Sequence, residues 1–319
     1  MAKQAKGIKS ITNLAFETTY GTIPTTGTFY RMPINKNALT SKQNLIESNT
    51  ITGRRDAVEP GIGQLDASGQ LECPLDVRNV GNVLKALFGA PTTTPVSGKT
   101  GVYQHVFKVL DEVPSLTVEK GFPDIALFYR YAGVKASKFS LTAQVGNNET
   151  TYTLDTMAAN ETESTTALSE SPTSLPLEKF NNVNAAVKEG GTTLGICRSM
   201  QVDIDNGLDG DTYCLNGSGI RPSINEGTLA VSGSIEVLFE DNALLTKAMN
   251  GTETSLELVY TKGDNSLSFL IPEVILERAT PTIDGSKGIK AKLSYKGFYA
   301  NDTNNSTAVV TLINDVAEY

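Results

Sequence analysis

Apolar and polar residues alternate along "LAVSGSIEVLFE" (229–240). Leu229, Val231, Ile235, Val237 and Phe239 fall on one side, with Ala230, Ser232, Ser234, Glu236, Leu238 and Glu240 on the other. A period of two over this length predicts a strand with one face on a core and the other wet. The same alternation predicts strands at 255–261, 266–276 and 288–300, with "KGDN" (262–265) as the turn between the first two. In the first half it predicts strands at 102–110, 115–120, 126–131 and 138–146. Two short helices interrupt the pattern. One runs from Asn79, the expected N-cap, to Gly89, with Pro91 beyond it. The other runs from Asp241 or Asn242 to Gly251.

The two helices follow similar strands. Ser68-Gly69-x-Leu71-Glu72 matches Ser232-Gly233-x-Ile235-Glu236, and each strand leads through a cap into a glycine-stopped helix. Upstream, "GRR" (53–55) and "GIR" (219–221) precede the Ser-Gly strands at similar distances, and "RMPINKNAL" (31–39) resembles "RSMQVDIDNGL" (198–208). The order strand, long polar loop, strand, short helix, further strands thus occurs twice. It predicts a mainly β protein of two tandem units, 28–157 and 194–319, each with one short flanking α-helix. An N-terminal arm (1–27) and a Ser/Thr/Glu-rich linker (158–193) carrying Pro172 and Pro176 are expected outside them.

Composition agrees with that pattern. Hydrophobic residues are 39% and charged residues 19% of the 319, with Thr, Ser, Asn and Gly making up the difference, a balance that favours strands and turns. No apolar run approaches the roughly 20 residues that span a bilayer, so no membrane partner is expected. The N-terminus has lysines but no apolar core of an export signal. Cys73, Cys197 and Cys214 form no CxxC pair and are expected as thiols. The net charge of −8 argues against tight binding of a phosphate backbone.

Candidate chemistry fails by counting. His105 is the only histidine, which excludes a His-based triad and any two-His metal site. "SGKTG" (97–101) resembles the end of a phosphate-binding loop, but Thr93 stands where the first glycine belongs. "DIDNGLDGD" (203–211) resembles a calcium loop. Counted from Asp203, it places Gly207 at a ligand position, Leu208 at the turn glycine and Cys214 at the bidentate acid. A turn is expected there, and calcium near Asp203–Asp211 is left open. No catalytic constellation emerges, so neither enzyme activity nor a cofactor is expected.

The run "GTLAVSGSIEVLFEDNALLTKAMNGTETSLELVY", with "SFLIPEVILERATPTI" and "GIKAKLSYKGFYANDTNNSTAVVTLIND" after it, is similar to the major tail tube proteins of long, non-contractile-tailed bacteriophages. "GRRDAVEPGIGQLDASGQLECPLDVRNVGNVLKALFGA" resembles the N-terminal portion of the same family. The resemblance implies β-sandwich or partial-barrel units stacked as rings into a hollow tube. It implies a structural virion protein, made and assembled in the host cytoplasm, through which DNA passes during ejection without specific binding. Its implied partners are copies of itself and the tape-measure, terminator and distal tail proteins. A barrel wide enough for a duplex needs more strands than one unit supplies, so several chains must pool their sheets. With two units per chain, homotrimeric rings of pseudo-sixfold symmetry are favoured over homohexameric ones. Gln70, Glu72, Ser234 and Glu236 are candidates for the lumen, where acidic and small polar groups would let phosphates slide past. The loops 40–64 and 207–228, with Arg54, Arg55 and Arg221, are candidates for ring-to-ring contact. The alternatives are a receptor- or carbohydrate-binding β-sandwich of the virion, weakened by the absence of Trp, and the inner tube of a contractile tail.

Overall fold

The computed structural model of the chain describes residues 4–283 and 285–319. The first half runs β1 (Ile11–Phe16), β2 (Tyr30–Arg31), β3 (Lys36–Asn37), β4 (Thr40–Ile46), β5 (Gly61–Pro74) and α1 (Val80–Phe88). It continues through β6 (Thr92–Pro95), β7 (Tyr103–Lys108), β8 (Leu116–Phe122), β9 (Leu127–Gln144), β10 (Thr151–Ala158) and β11 (Asn160–Ser164). The second half begins with β12 (Ala185–Glu189), β13 (Thr192–Thr193), β14 (Cys197–Asp205), β15 (Ala230–Leu238) and α2 (Ala243–Asn250). It ends with β16 (Thr254–Lys262), β17 (Asn265–Leu276), β18 (Lys290–Phe298) and β19 (Val309–Asn314). The protein is mainly β, as its alternation predicts.

One antiparallel sheet runs β4–β5–β10–β9–β14–β15–β18, with β3 beside β4 on the same edge of β5. A second layer carries two groups in the same order: β2–β1–β8–β9–β11, and β13–β12–β16–β17–β19. β9 serves both layers. Its first half pairs with β8 and β11, its second with β10 and β14, and Gly133 (φ +62°) lies at the bend, where a Cβ would stand 2.8 Å from Ala159 Cβ and 2.9 Å from the Tyr20 ring. Sequence alternation predicts two strands there because the bend breaks the period. β17 divides its pairing in the same way, between β16 and β19 at its start and β18 at its end.

Buried side chains from both layers and both helices form one apolar cluster, including Leu71, Val118, Phe139, Val202, Ile235, Phe269 and Leu293. Helices of nine and eight residues are too short to persist alone, so packing must hold them. α1 is buried almost all round, leaving only Lys85 outside, with its Nζ 4.3 Å from the centre of the Phe16 ring. α2 buries only Leu244 and Ala248. Both helices stop at the expected glycines: Gly89 (φ +97°) and Gly251 (φ +61°) donate back to Lys85 O and Lys247 O. The expected N-cap of α1 needs correcting. Asn79 is already helical in backbone, and the buried Asp76 carboxylate instead accepts from the N–H groups of Arg78, Asn79 and Val80 at 3.2, 2.8 and 3.1 Å. At α2 the cap is Asp241, which accepts from Ala243 N–H at 2.9 Å, and not Asn242.

Strands also occur where the sequence shows no pattern. β1 lies within the stretch expected as an arm. Thr12, Asn13, Leu14 and Ala15 are all buried, so it never alternates. β11 and β12 lie within the stretch expected as a linker, and β11 is a polar, half-exposed edge strand without apolar signal. The halves are laced together: β7 pairs with β19, and the C-terminal Tyr319 ring stands where a Gly81 Cβ would be, 2.1 Å away, with its hydroxyl donating to Arg78 O at 2.6 Å. Arg78 grips Asp315 through two hydrogen bonds of 2.6 and 2.8 Å and holds its carboxyl below the usual carboxylate range.

Candidate functional site

Cross-strand partners in a sheet project to the same side. Following them across the large sheet, Lys36, Glu72, Thr153, Ser140, Asp203, Ser232 and Lys296 form one row. Gln70, Asp155, Lys138 and Asp205 form a second, and Gln144, Ser199, Glu236 and Lys292 a third. Thr142, Gln201, Ser234 and Ser294 lie between the first and third. None of these side chains is buried, whereas the alternate positions Leu71, Phe139, Leu141, Val202, Ile204, Ile235 and Leu293 close the core. Gln70, Glu72, Ser234 and Glu236 therefore share one wet face, although three strands separate the two pairs.

That face is held by its own polar contacts. Gln70 Nε2 donates to Asp155 at 2.9 Å, Gln201 Nε2 to Asp203 at 2.7 Å, and Lys290 Nζ lies 3.2 Å from Glu236. It is less acidic than expected: Lys290, Lys292 and Lys296 line its β18 border, each on the wet side of the alternation. The pattern "KAKLSYK" makes this lysine column readable in the sequence. Gly69 and Gly233 lie under the face in matching places. A Cβ on Gly69 would stand 2.4 Å from Ala38 O, and one on Gly233 2.0 Å from Gln201 O, so only glycine lets the neighbouring backbone approach.

Both borders of this sheet are open. Among the described residues, the outer edge of β3 and β4 and the edge of Lys290–Ser294 in β18 that faces away from β15 have no strand partner. Beyond the sheet projects the β4–β5 hairpin, with Leu45, Ile46, Ile51 and Ile62 exposed. Arg54 and Arg55 lie in its exposed tip, and Arg54 Nε is 4.0 Å from Asp56.

Arg221 differs from the expectation. It is buried, and its donors are used within the chain: Nε to Gly210 O at 2.7 Å, Nη1 to Ala158 O at 3.1 Å and Ala67 O at 3.4 Å, and Nη2 to Asp66 Oδ1 at 2.5 Å. The guanidinium lies 5.1 Å from the Tyr213 ring centre, the Tyr213 hydroxyl donates to Leu65 O at 2.8 Å, and Leu65 N–H donates to Gly219 O at 2.9 Å. The 207–228 loop is thus clamped onto β5, and Arg221 is its clamp. Sequence spacing gave no sign of Asp66 as its partner.

The remaining candidates are structural in their contacts. His105 is buried between Thr93 Oγ1 (2.8 Å), Val316 O (2.9 Å) and Asn314 Oδ1 (3.2 Å), and burial lowers its pKa. Asp203 and Asp205 lie on the wet face of β14. Asp205 and Asp209 accept from Gly207 and Asp211 N–H in local turns, and no group of three potential metal ligands is gathered among the described residues. No described helix is long and apolar enough to cross a membrane.

The phage tail tube protein family matches residues 7–297. The chain belongs to that family. No curated protein shows a significant match. As a tail tube protein the chain is a structural component of the virion tail that assembles with copies of itself into a tube, and an open-edged β sheet suits that task. The family is a structural one rather than a family of enzymes.

Proposed function

We propose that this tail tube protein is a tandem duplicate whose three copies close one ring, and that rings stack into the conduit through which DNA leaves the virion. Matching strand order supports the duplication: β4–β5–β10–β9–β8 is repeated as β14–β15–β18–β17–β16, with β11 and β19 in corresponding places. So does the equivalence of Gly69 and Gly233. The units would be 28–157 and 194–319, with β1 and β12 completing their second layers from the flanking segments.

The observation that carries the reading is one continuous sheet with a wet face and two open borders. Ring size follows from strand spacing. Seven strands at about 4.8 Å, tilted by about 40°, contribute roughly 44 Å of circumference. Three chains then give a backbone diameter of about 42 Å, and side chains of about 5 Å on each wall leave a bore near 30 Å. A DNA duplex, roughly 20 Å across, passes with room for water. Two chains would leave about 18 Å, too narrow, and six would leave over 70 Å.

Gln70, Glu72, Ser234 and Glu236 then line the bore, where mixed charge avoids the counterion release that would hold DNA fast. Ring-to-ring contact falls to the β4–β5 hairpin with its exposed Leu45, Ile46 and Ile51 and to Arg54 and Arg55 at its tip. Reversing both arginines to Glu shortens the tubes made in vitro while leaving the melting temperature unchanged, and tubes of unaltered length would remove these residues from the contact. Tape-measure, terminator and distal tail proteins are the expected further partners, and assembly takes place in the host cytoplasm. Negative-stain microscopy of the purified chain tests the whole reading. Rings or tubes with a central hole support it, and persistent monomers under all assembly conditions reject it.

A further inference from the structure

Within the large sheet the chain contains a finished joint between its halves, β9 against β14, and that joint is a template for the joint between copies. Lys138–Leu141 of β9 lies between two strands, pairing with β10 on one side and with β14 on the other. In the second half the corresponding place is open. Ser68 of β5 faces Met157 and Ser232 of β15 faces Lys296, so β10 corresponds to β18 residue by residue. Ala136, opposite Thr156, then corresponds to Leu276, opposite Tyr295. After Ala136 the first half has a bulge and then Lys138-Phe139-Ser140-Leu141-Thr142-Ala143. After Leu276 and Glu277 the second half has Arg278-Ala279-Thr280-Pro281-Thr282-Ile283, with the same alternation of polar and apolar positions.

This second segment does not lie on the sheet. Glu277 N–H donates to Ser294 O at 2.8 Å, and there the ladder with β18 ends. Ala279 packs against the core, as Phe139 does, but Ile283 is 82% exposed. Between the segment and the free edge of β18 lies an open hollow of about 490 Å³, bordered by Thr280, Pro281, Thr282, Lys290 and Lys292. Pro281 offers no N–H, so the segment can form one ladder bond fewer than its counterpart and gains less from joining β18 alone. At the opposite border, Thr40 faces Ser68 as Asp203 faces Ser232, and Lys36 faces Glu72 as Ser199 faces Glu236. Residues 36–42 therefore stand where β14 stands, but without the strand that β14 receives from β9.

We propose that residues 278–283 close onto β18 and pair with β3 and β4 of a second copy of this chain, Thr280 opposite Thr40 and Arg278 opposite Lys42. This reproduces Ser140 opposite Asp203 and Lys138 opposite Asp205 in the finished joint. Arg278 and Lys42 would share one neighbouring carboxylate, Asp66, with Arg221, so the register follows the backbone correspondence and not charge pairing. Each copy then supplies eight strands to the wall, which widens the bore from the roughly 30 Å of seven strands to about 38 Å, and leaves no open edge. The proposal rests on the ring reading above and specifies its lateral contact.

The test is a disulfide across the joint. Thr40→Cys and Thr280→Cys are combined in a Cys214→Ser background, tubes are assembled and oxidised, and chains are resolved without reductant. Directly opposed positions have Cβ atoms about 5 Å apart, close enough to bridge after small shifts. The expected result is a ladder ending at a covalent trimer, with no ladder when Ala279→Cys replaces Thr280→Cys. Intact tubes without cross-links overturn the joint while leaving the tube reading standing, whereas failure of the unaltered chain to form rings rejects the tube reading itself. Should the double variant not assemble, a short lysine cross-linker on unaltered tubes decides. Within one chain the two borders are about 29 Å apart, six strand spacings, beyond its reach. Links from Lys36 or Lys42 to Lys290 or Lys292 support the joint, and their absence among other links overturns it.

Discussion

Replacing Arg221 by Ala tests whether the 207–228 loop is clamped or merely lies nearby. The substitution removes four hydrogen-bonding contacts, and they do not count equally. Asp66 has a side chain 57% exposed and returns to water when its partner leaves, so that ion pair contributes little. Gly210 O lies in the loop and can rehydrate as the loop lifts. Ala67 and Ala158 are fully buried, and their carbonyls lose a charged donor that water cannot easily replace. An unsatisfied buried polar group costs about 1–3 kcal/mol, and the sheet partly satisfies both carbonyls, so the expected loss is about 2–4 kcal/mol in total. Urea unfolding of the unassembled chain should show that loss, with Arg221→Lys recovering less than half because it lacks the planar fork. Hydrogen exchange at Leu65, whose N–H is held by Gly219 O, should quicken in the Ala variant. A loss below about 0.5 kcal/mol with Leu65 still protected would refute the clamp.

Two further outcomes follow from buried sites. His105 is held neutral by burial, so the folded chain resists a proton that the unfolded chain accepts near pH 6.5. Stability is therefore full above that pH and declines as pH falls through it, by up to about 1.4 kcal/mol per unit; thermal melts from pH 7 to 5 should show the decline, and an equal slope in His105→Gln would count against it. Gly69→Ala and Gly233→Ala each force a Cβ into a backbone carbonyl and should each lower stability by about 2 kcal/mol or more. Gly195→Ala, with nothing within 4 Å of its Cβ, should be nearly neutral in the same melts. Equal tolerance at all three positions would remove the close backbone approach from the account.

What could be read from the sequence was whatever a local period encodes. β15, β16 and β17 each bury one face and expose the other, so their alternation survives in the chain and gives their position closely. Gly89 and Gly251 mark helix ends because the turn after each needs a positive φ. The wet face was legible at Gln70, Glu72, Ser234 and Glu236 for the same reason. The N-cap of α1 was not, because Asp76 sits one turn early on a segment that only the fold brings into place. β1 escaped notice because it is buried on both faces, and β11 because it is an edge with neither face dry. Arg221 looked like a surface arginine in a polar loop, and only the approach of β5 and β10 turns it inward. Local pattern names the faces of strands; it does not say which loop will lie across them.

The number of chains in one ring tests the central claim most directly. Cryo-electron microscopy of assembled tubes should show three chains per ring, each spanning two of six similar sectors around a bore of about 30–40 Å. Six complete chains around the axis, or a ring whose sectors share no strand order, would contradict it.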